Sequence, residues 1–299
     1  MAWQESISFK GFCNKFNTED ACREYLIQLR WPTGFVCPKC GETGGYYIED
    51  RHVYQCKHCR YQASATAGTV MHHSRLPLKT WFWAIYLTSR DKRGYSAMQL
   101  SEELEIAYSS AWYLLHRIRS AMTSRDAEYL LCGIVEVDDT YFGGPKGGGK
   151  RGRGTEKTKV VVAISKDEKG RPQYVKMKVV SDLKGATIGD FVDSTIEKGS
   201  IIQSDAYSSY RKPMADGYTH QYEVFDTDND MLHWLHQVIG NAKAAILGTF
   251  HGFDEKHLQA YLDAFCYRFN RRHFRGEIFA RLLAAVSSSH ILGYADLTR

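Results

Sequence analysis

Apolar positions over the first 125 residues recur with helical spacing, interrupted by one cysteine-rich interval. Asn17 or Thr18 is placed to cap a short helix through Leu29, which Trp31-Pro32 stops. From Pro77 the run Leu78-Lys79-Thr80-Trp81-Phe82-Trp83-Ala84-Ile85-Tyr86-Leu87 reads as a helix. Two further amphipathic segments fill Tyr95–Arg119 and join at Glu105 to Tyr108. With Ser109 as N-cap of the second, they predict a helix-turn-helix. Beyond Leu130 the period changes. Gly133–Val137, Lys159–Ile164, Tyr174–Val180 and Ser200–Gln203 are β-rich runs. A helix is expected at about Thr187–Glu197, and others at roughly Met231–Leu247, Glu255–Asn270 and Gly276–Ser287. Three strands, a helix, a strand and then mostly helices predict an α/β domain with a mixed sheet.

Composition narrows this picture without redirecting it. A chain of 299 residues suggests about two folded units, and 43% hydrophobic with 24% charged residues excludes a mainly disordered chain. The longest apolar run, Trp81 to Leu87, is far too short to span a membrane. Met1-Ala2-Trp3-Gln4-Glu5 lacks the basic-then-apolar order of an export signal, so a cytoplasmic protein is expected. The formal charge, 39 − 34 = +5, permits a nucleic-acid partner without demanding one. Part of that charge sits in Gly143–Gly154, where seven glycines among twelve residues predict a flexible basic loop.

Two groups of residues carry candidate chemistry. Cys37-x-x-Cys40 and Cys56-x-x-Cys59 stand fifteen residues apart, the spacing of a four-thiolate zinc ribbon. With all four positions filled, such an ion is structural, and neither His52 nor His58 is needed. Asp138 and Asp205 each follow a β-rich run, where an α/β sheet presents ligands for a catalytic ion. Two hard carboxylates suit Mg²⁺ or Mn²⁺. Either aspartate alone would read as an ordinary strand-end residue. Asp226-Thr227-Asp228-Asn229-Asp230 fails the calcium-loop template, with Met231 at its sixth position and Gln237 at its twelfth.

Together these segments resemble a known family. Val135-Glu136-Val137-Asp138-Asp139-Thr140-Tyr141-Phe142-Gly143-Gly144 is similar to the first catalytic-aspartate motif of bacterial insertion-sequence DDE-type transposases. The subgroup is the one with an N-terminal zinc ribbon and an ISXO2-like transposase domain. Lys150–Val161 resembles its basic loop and second strand, and Gln203-Ser204-Asp205-Ala206-Tyr207-Ser208-Ser209-Tyr210 its second-aspartate motif. Gly248–Gly252, His257–Leu262 and Tyr267-Arg268-Phe269-Asn270-Arg271-Arg272 resemble its C-terminal signature. The likeness runs from about Thr18 to Leu283 and implies an RNase H-like catalytic domain. The implied organisation is a helical segment (1–34), a zinc ribbon (35–63), a helix-turn-helix region (76–125) and an RNase H-like domain (130–290) with a basic glycine-rich loop (143–158).

The resemblance implies catalysis by Asp138, Asp205 and a third group on a later helix, seven residues before a lysine. Lys243 takes the lysine position, and His236 stands where the family has Glu. Seven residues are about two turns, so His236 and Lys243 share a face, whereas Asn241, the other candidate, is turned away. An imidazole favours Mn²⁺ over Mg²⁺ more than a carboxylate would. The implied activity is binding of terminal inverted repeats in double-stranded DNA, then metal-dependent strand cleavage and transfer by a homodimer or larger assembly. Candidate DNA contacts are Ser109, Ser110, Tyr113, His116 and Arg117 on the second helix of the pair. Lys150, Arg151 and Arg153 of the loop, and Arg268, Arg271 and Arg272, complete the set. The missing Glu leaves open an alternative, a non-catalytic DNA-binding regulator or domesticated remnant.

Overall fold

The computed structural model describes residues 7–143, 157–214, 216–223, 232–250, 254–274 and 276–298, except the side chains of 212–214 and 223. Lys150, Arg151 and Arg153, most of the expected glycine-rich loop, the acidic run 226–230 and Arg275 lie outside the described residues. The chain forms two compact units, one from Met1–Arg125 with His273–Arg299, the other from Asp126–Arg272.

In the first unit, α1 (Phe9–Lys15) precedes α2 (Glu19–Arg30), which the Thr18 hydroxyl caps by accepting from the Ala21 N–H. Strands β1 (Gly45–Ile48), β2 (Val53–Cys56) and β3 (Gln62–Ser64) form an antiparallel ribbon in that order. Helix α3 (Leu78–Arg90) begins at Pro77, which offers no capping side chain. The Glu19 carboxylate accepts from the Leu78 and Lys79 N–H groups instead, at 2.7 and 3.0 Å. A four-residue turn, with Glu105 at φ 51°, joins α4 (Ala97–Glu103) to α5 (Tyr108–Asp126). Ser109 is therefore inside the first turn of α5 and is not its N-cap.

The second unit is built on β4 (Ile134–Phe142), β5 (Thr158–Lys166) and β6 (Pro172–Val180), then α6 (Gly185–Thr195), β7 (Ile201–Asp205), α7 (Ser208–Met214) and β8 (Thr219–Glu223). Helix α8 (His233–Thr249) and, after a short 3₁₀ turn, α9 (Leu258–Asn270) follow. The sheet order is β6-β5-β4-β7-β8, antiparallel between β6, β5 and β4, and parallel from β4 through β7 to β8. This is the expected mixed sheet, with α7 and β8 added. The sequence Thr219-His220-Gln221-Tyr222-Glu223 is too polar to announce a strand.

Alternation along β4 sorts its side chains between two cores. Val135 and Val137 pack with Ile188, Phe191 and Val192 of α6, while Phe142 packs with Leu235, Val238 and Ala242 of α8. Asp138 shares the α8 face. On α9, Gln259 accepts from the Val179 N–H and donates to Met177 O, and Asn270 both accepts from and donates to Val175. Two side-chain amides thus satisfy the open edge of β6 as a neighbouring strand would.

Helices α10 (Ile278–Ser288) and α11 (Tyr294–Thr298) belong to the first unit, so the second ends at Arg272, short of the expected 290. The reason is aromatic packing. Phe279 of α10 meets Phe12 edge-on at 5.3 Å, and Phe12 stacks on Tyr86 at 4.2 Å. Among the described residues no helix is long and apolar enough to cross a membrane.

Candidate functional site

Four sulfurs converge in the ribbon. The ligand atoms of Cys37, Cys40, Cys56 and Cys59 all lie within 4.8 Å of one another, with Sγ–Sγ distances of 3.6 Å for Cys37–Cys59 and 3.7 Å for Cys40–Cys56. A tetrahedral zinc thiolate site, with Zn–S near 2.3 Å, requires edges of about 3.8 Å, so the donor set fits zinc. The backbone N–H groups of Cys59 and His58 point at the Cys56 Sγ and hold that thiol below its usual range, which favours the thiolate a metal needs.

The second constellation lies where β4, β7 and α8 meet. Val137 pairs with Ser204 in parallel register, which makes Asp138 and Asp205 the next positions on neighbouring strands. His236 comes from the first two turns of α8, with Nε2 3.4 Å from Asp138 Oδ2. Asn241 is exposed. Of the two candidates for the third position, His236 is the one that meets Asp138. Lys243 is half-buried with Nζ 5.9 Å from the Phe142 ring centroid. Burial and then Lys157 push its ammonium below the usual lysine range, against the pull of Asp138. Backbone N–H groups of Asp139 and Tyr207 fix Asp138 Oδ1 and Asp205 Oδ1, at 2.7 and 3.1 Å. Beneath them the Tyr210 hydroxyl donates to Asp139 at 3.1 Å. Burial, followed by the charges of Asp138, Asp139 and Asp205, keeps that phenol protonated far into the alkaline range.

Among the described residues, the cysteine quartet is the one set of three or more such groups gathered tightly around a point. Asp138 stands in the middle of β4 rather than after its end as expected, because pairing with β5 continues to Phe142, while Asp205 ends β7. With His236 they are neighbours without that degree of convergence. Their donor set, two hard oxygens and an imidazole, is chemically fit for Mg²⁺ or Mn²⁺. Sequence reasoning passes over one further carboxylate here. Glu136, inside the apolar run Val135-Glu136-Val137, is 1% exposed on the same face as Asp138.

Several expected DNA contacts turn inward. His116 and Arg117 are 1% and 3% exposed. The Arg117 guanidinium lies over the rings of Trp81 and Tyr113, at 5.2 and 5.1 Å, and donates to His72 O. The Tyr113 hydroxyl donates to Leu292 O at 2.7 Å. Ser109 is exposed and Ser110 half-buried at the start of α5. The arginine cluster is also internal. Arg268 is buried, and Arg271 pairs with Asp126 at 2.7 Å while stacking on Tyr267. Arg272 donates to Pro172 O, Gln173 O and Phe269 O. Each guanidinium that has backbone carbonyls or a buried carboxylate as partners has no need of a phosphate. The ribbon, by contrast, presents exposed cations and rings. Tyr46 is 64% exposed with Lys57 Nζ 5.1 Å from its centroid, and Lys39 and Arg51 are exposed nearby in sequence.

Comparison with known proteins matches the same segments. Residues 130–270 fit the family model of the ISXO2-like transposase domain, and residues 17–62 that of the transposase zinc-ribbon domain. An uncharacterized protein in transposable element ISH50 of Halobacterium salinarum is 31% identical over 131 residues, 42% of this chain and 42% of that protein. The shared stretch is thus less than half of that relative. Among solved structures, the Mos1 transposase paired-end complex with left transposon end aligns at 13% identity and a TM-score of 0.28, covering 73% of this chain and 82% of that one. The Mos1 mariner paired end complex with Mn aligns at 13% and 0.28, covering 69% and 78%. At such TM-scores these structural likenesses carry no weight for this chain. The two family models do: residues 130–270 are an ISXO2-like transposase domain, and residues 17–62 are a transposase zinc-ribbon domain.

Proposed function

We propose that this protein is the transposase of an insertion sequence, binding the element's inverted-repeat ends and cutting and joining DNA strands with a divalent ion. The observation that carries the reading is the meeting of Asp138 and His236 at 3.4 Å beside Asp205, on a sheet ordered β6-β5-β4-β7-β8. That order supports the RNase H-like architecture the resemblance implies. Asp138, Asp205 and His236 would hold Mg²⁺ or Mn²⁺. Such an ion, when bound, activates an attacking oxygen and stabilises a leaving one. The chain's own part is to fix the two carboxylates through backbone N–H groups and to present the imidazole from α8. Lys243, on the same helix face as His236, would contact a phosphate. Exposed cations of the ribbon and the start of α5 would meet double-stranded DNA, and joining two ends would engage at least two copies.

Strand cleavage of end-containing duplex in Mg²⁺ and in Mn²⁺ tests the reading. Asp138→Ala, Asp205→Ala and His236→Ala should each abolish cleavage and leave end binding intact. Binding of the ends without cleavage in either metal by the natural protein would instead favour the non-catalytic regulator, which the His in place of Glu motivates.

A further inference from the structure

Glu136 sits two residues before Asp138, on the same face of β4. Its Oε1 is 3.0 Å from Lys166 Nζ on β5, and its Oε2 accepts the Leu235 N–H at 3.0 Å. Lys166 Nζ donates in turn to Gln203 Oε1 at 2.5 Å, and Gln203 stands two residues before Asp205 on β7. A part-buried polar tie, anchored on buried Glu136, therefore links β4, β5 and β7 beside the aspartates. The N-terminus of α8 explains its other end. The first N–H groups of a helix lack partners within it, and a carboxylate there is favoured by the helix dipole. At the N-cap of α8 stands Leu232, which supplies no capping side chain. Glu136 does from the sheet what a capping Ser or Asp does from the helix's own chain.

We propose that Glu136, held by Lys166, is a positioning residue that sets His236 against Asp138. The two contacts are neighbouring rungs between the same elements. Glu136 reaches Leu235, while Asp138, two residues along the strand, meets His236, one residue along the helix. Fixing the first rung fixes the rotation and height of α8 at the second. A buried ion pair adds little stability that apolar residues of equal volume could not supply, so its use here is orientation. This inference rests on the reading of Asp138, Asp205 and His236 as the ion-holding set.

The test is the double variant Glu136→Leu/Lys166→Met in the full, zinc-loaded chain, which removes both charges and keeps the volume. Its melting temperature should fall only modestly, because apolar volume replaces the ion pair while the Leu235 N–H loses its acceptor. Hydrogen exchange in the first turn of α8 should nevertheless accelerate. Mn²⁺ affinity, measured without DNA, and cleavage of element ends should each fall roughly 10–100-fold, the usual cost of losing a group that orients a metal ligand. End binding should persist. Glu136→Gln keeps an oxygen for the Leu235 N–H and should recover most of the Mn²⁺ affinity. Natural Mn²⁺ affinity and natural α8 exchange in the folded double variant would overturn the proposal. If that variant does not fold, Glu136→Asp decides, since its shorter side chain withdraws the oxygen from Leu235. Weakened Mn²⁺ binding supports the role, and unchanged binding refutes it. Asp138→Ala separates the two levels. If it binds Mn²⁺ like the natural protein, the ion-site reading itself fails. If it loses Mn²⁺ while the Glu136 variants do not, only the positioning role fails.

Discussion

His236 places an imidazole where a carboxylate would add a negative charge, and a divalent cation feels that difference before the fold does. His236→Glu should cleave in Mg²⁺, whereas the natural protein should favour Mn²⁺ relative to that variant, because imidazole is the softer ligand. Rates in the two metals measure this, and an unchanged Mn²⁺-to-Mg²⁺ ratio would remove His236 from the ion. His236→Ala should lose more than the roughly 10–100-fold typical of a group one shell further out, while exposed Asn241→Ala should stay close to natural activity. Lys243 has its own pH signature. Its folded pKa is lowered, first by burial and then by Lys157. The cation is therefore fully present below that value and is lost as pH rises through it, earlier than for an ordinary lysine. Over the same interval the unfolded chain holds more protons, so stability gains with pH there while any phosphate contact fades. End affinity followed from neutral to alkaline pH should fall earlier for the natural protein than for Lys243→Arg, and coincident curves would refute the contact. Asp205, at the end of β7, and the shared face of His236 with Lys243 are legible in the sequence because a strand end and a two-turn spacing are local quantities. Asp138, expected just after a strand, stands instead in the middle of β4, which its pairing with β5 carries on to Phe142. Glu136 is not legible, because its partners lie on two other elements, 30 and 99 residues away.

At the scale of elements, the ribbon stands or falls with its ion. Cys56→Ser/Cys59→Ser should lose the one tightly held zinc per chain and unfold the neighbourhood of Phe35 to Gln62, and stoichiometric zinc in that variant would contradict the site. Helix α5 teaches a different lesson. Helical periodicity counts Arg117 as a polar position free to face a ligand, yet Trp81 of α3 and Tyr113 receive its guanidinium. A stacked, buried arginine looks like a surface one until its long-range partners are known. Arg117→Ala should cost about 2 kcal/mol or more in folding, in line with losing a buried charged hydrogen bond and its packing, as urea unfolding would register. An undiminished stability with weakened end binding would return Arg117 to the DNA. Contacts made by the exposed ribbon cation Lys57 should behave oppositely. Lys57→Ala should leave stability alone and reduce the salt dependence of DNA binding by about one ion.

For the molecule as a whole, the end of α9 holds the second unit closed. Arg271 and Asn270, at its end, both reach Asp126, at its start, the guanidinium at 2.7 Å. Arg271→Ala strands the buried Asp126 carboxylate and should cost about 3–5 kcal/mol, measured by equilibrium unfolding. A small change accompanied by weaker DNA binding would restore the surface role that sequence reading assigns to it. The α/β order of this unit is legible because four of its strands carry β-rich runs, whereas polar β8 is not. The unit's boundary is not legible either, since the residues after Arg272 are as apolar as those before. Contacts distant in sequence, such as the ring of Phe279 against Phe12 and Tyr113 on Leu292 O, show where they belong.

That division has a consequence in time. The residues from 126 to 272 interrupt a unit whose aromatic core needs Phe279 beside Phe12, Phe16 and Phe82. At about 5–20 residues per second of synthesis, this intervening stretch takes roughly 7–30 s to emerge. For that interval the nascent chain carries an unfinished greasy surface upstream, while the interrupting unit is free to fold first and shut its own ends with Asp126 and Arg271. Chains ending at Arg272 and held on the ribosome by a linker long enough to clear the exit tunnel should accordingly protect the sheet from protease while leaving α1 and α3 open to it. The last helices to be made, α10 and α11, are then the ones that complete the first unit begun.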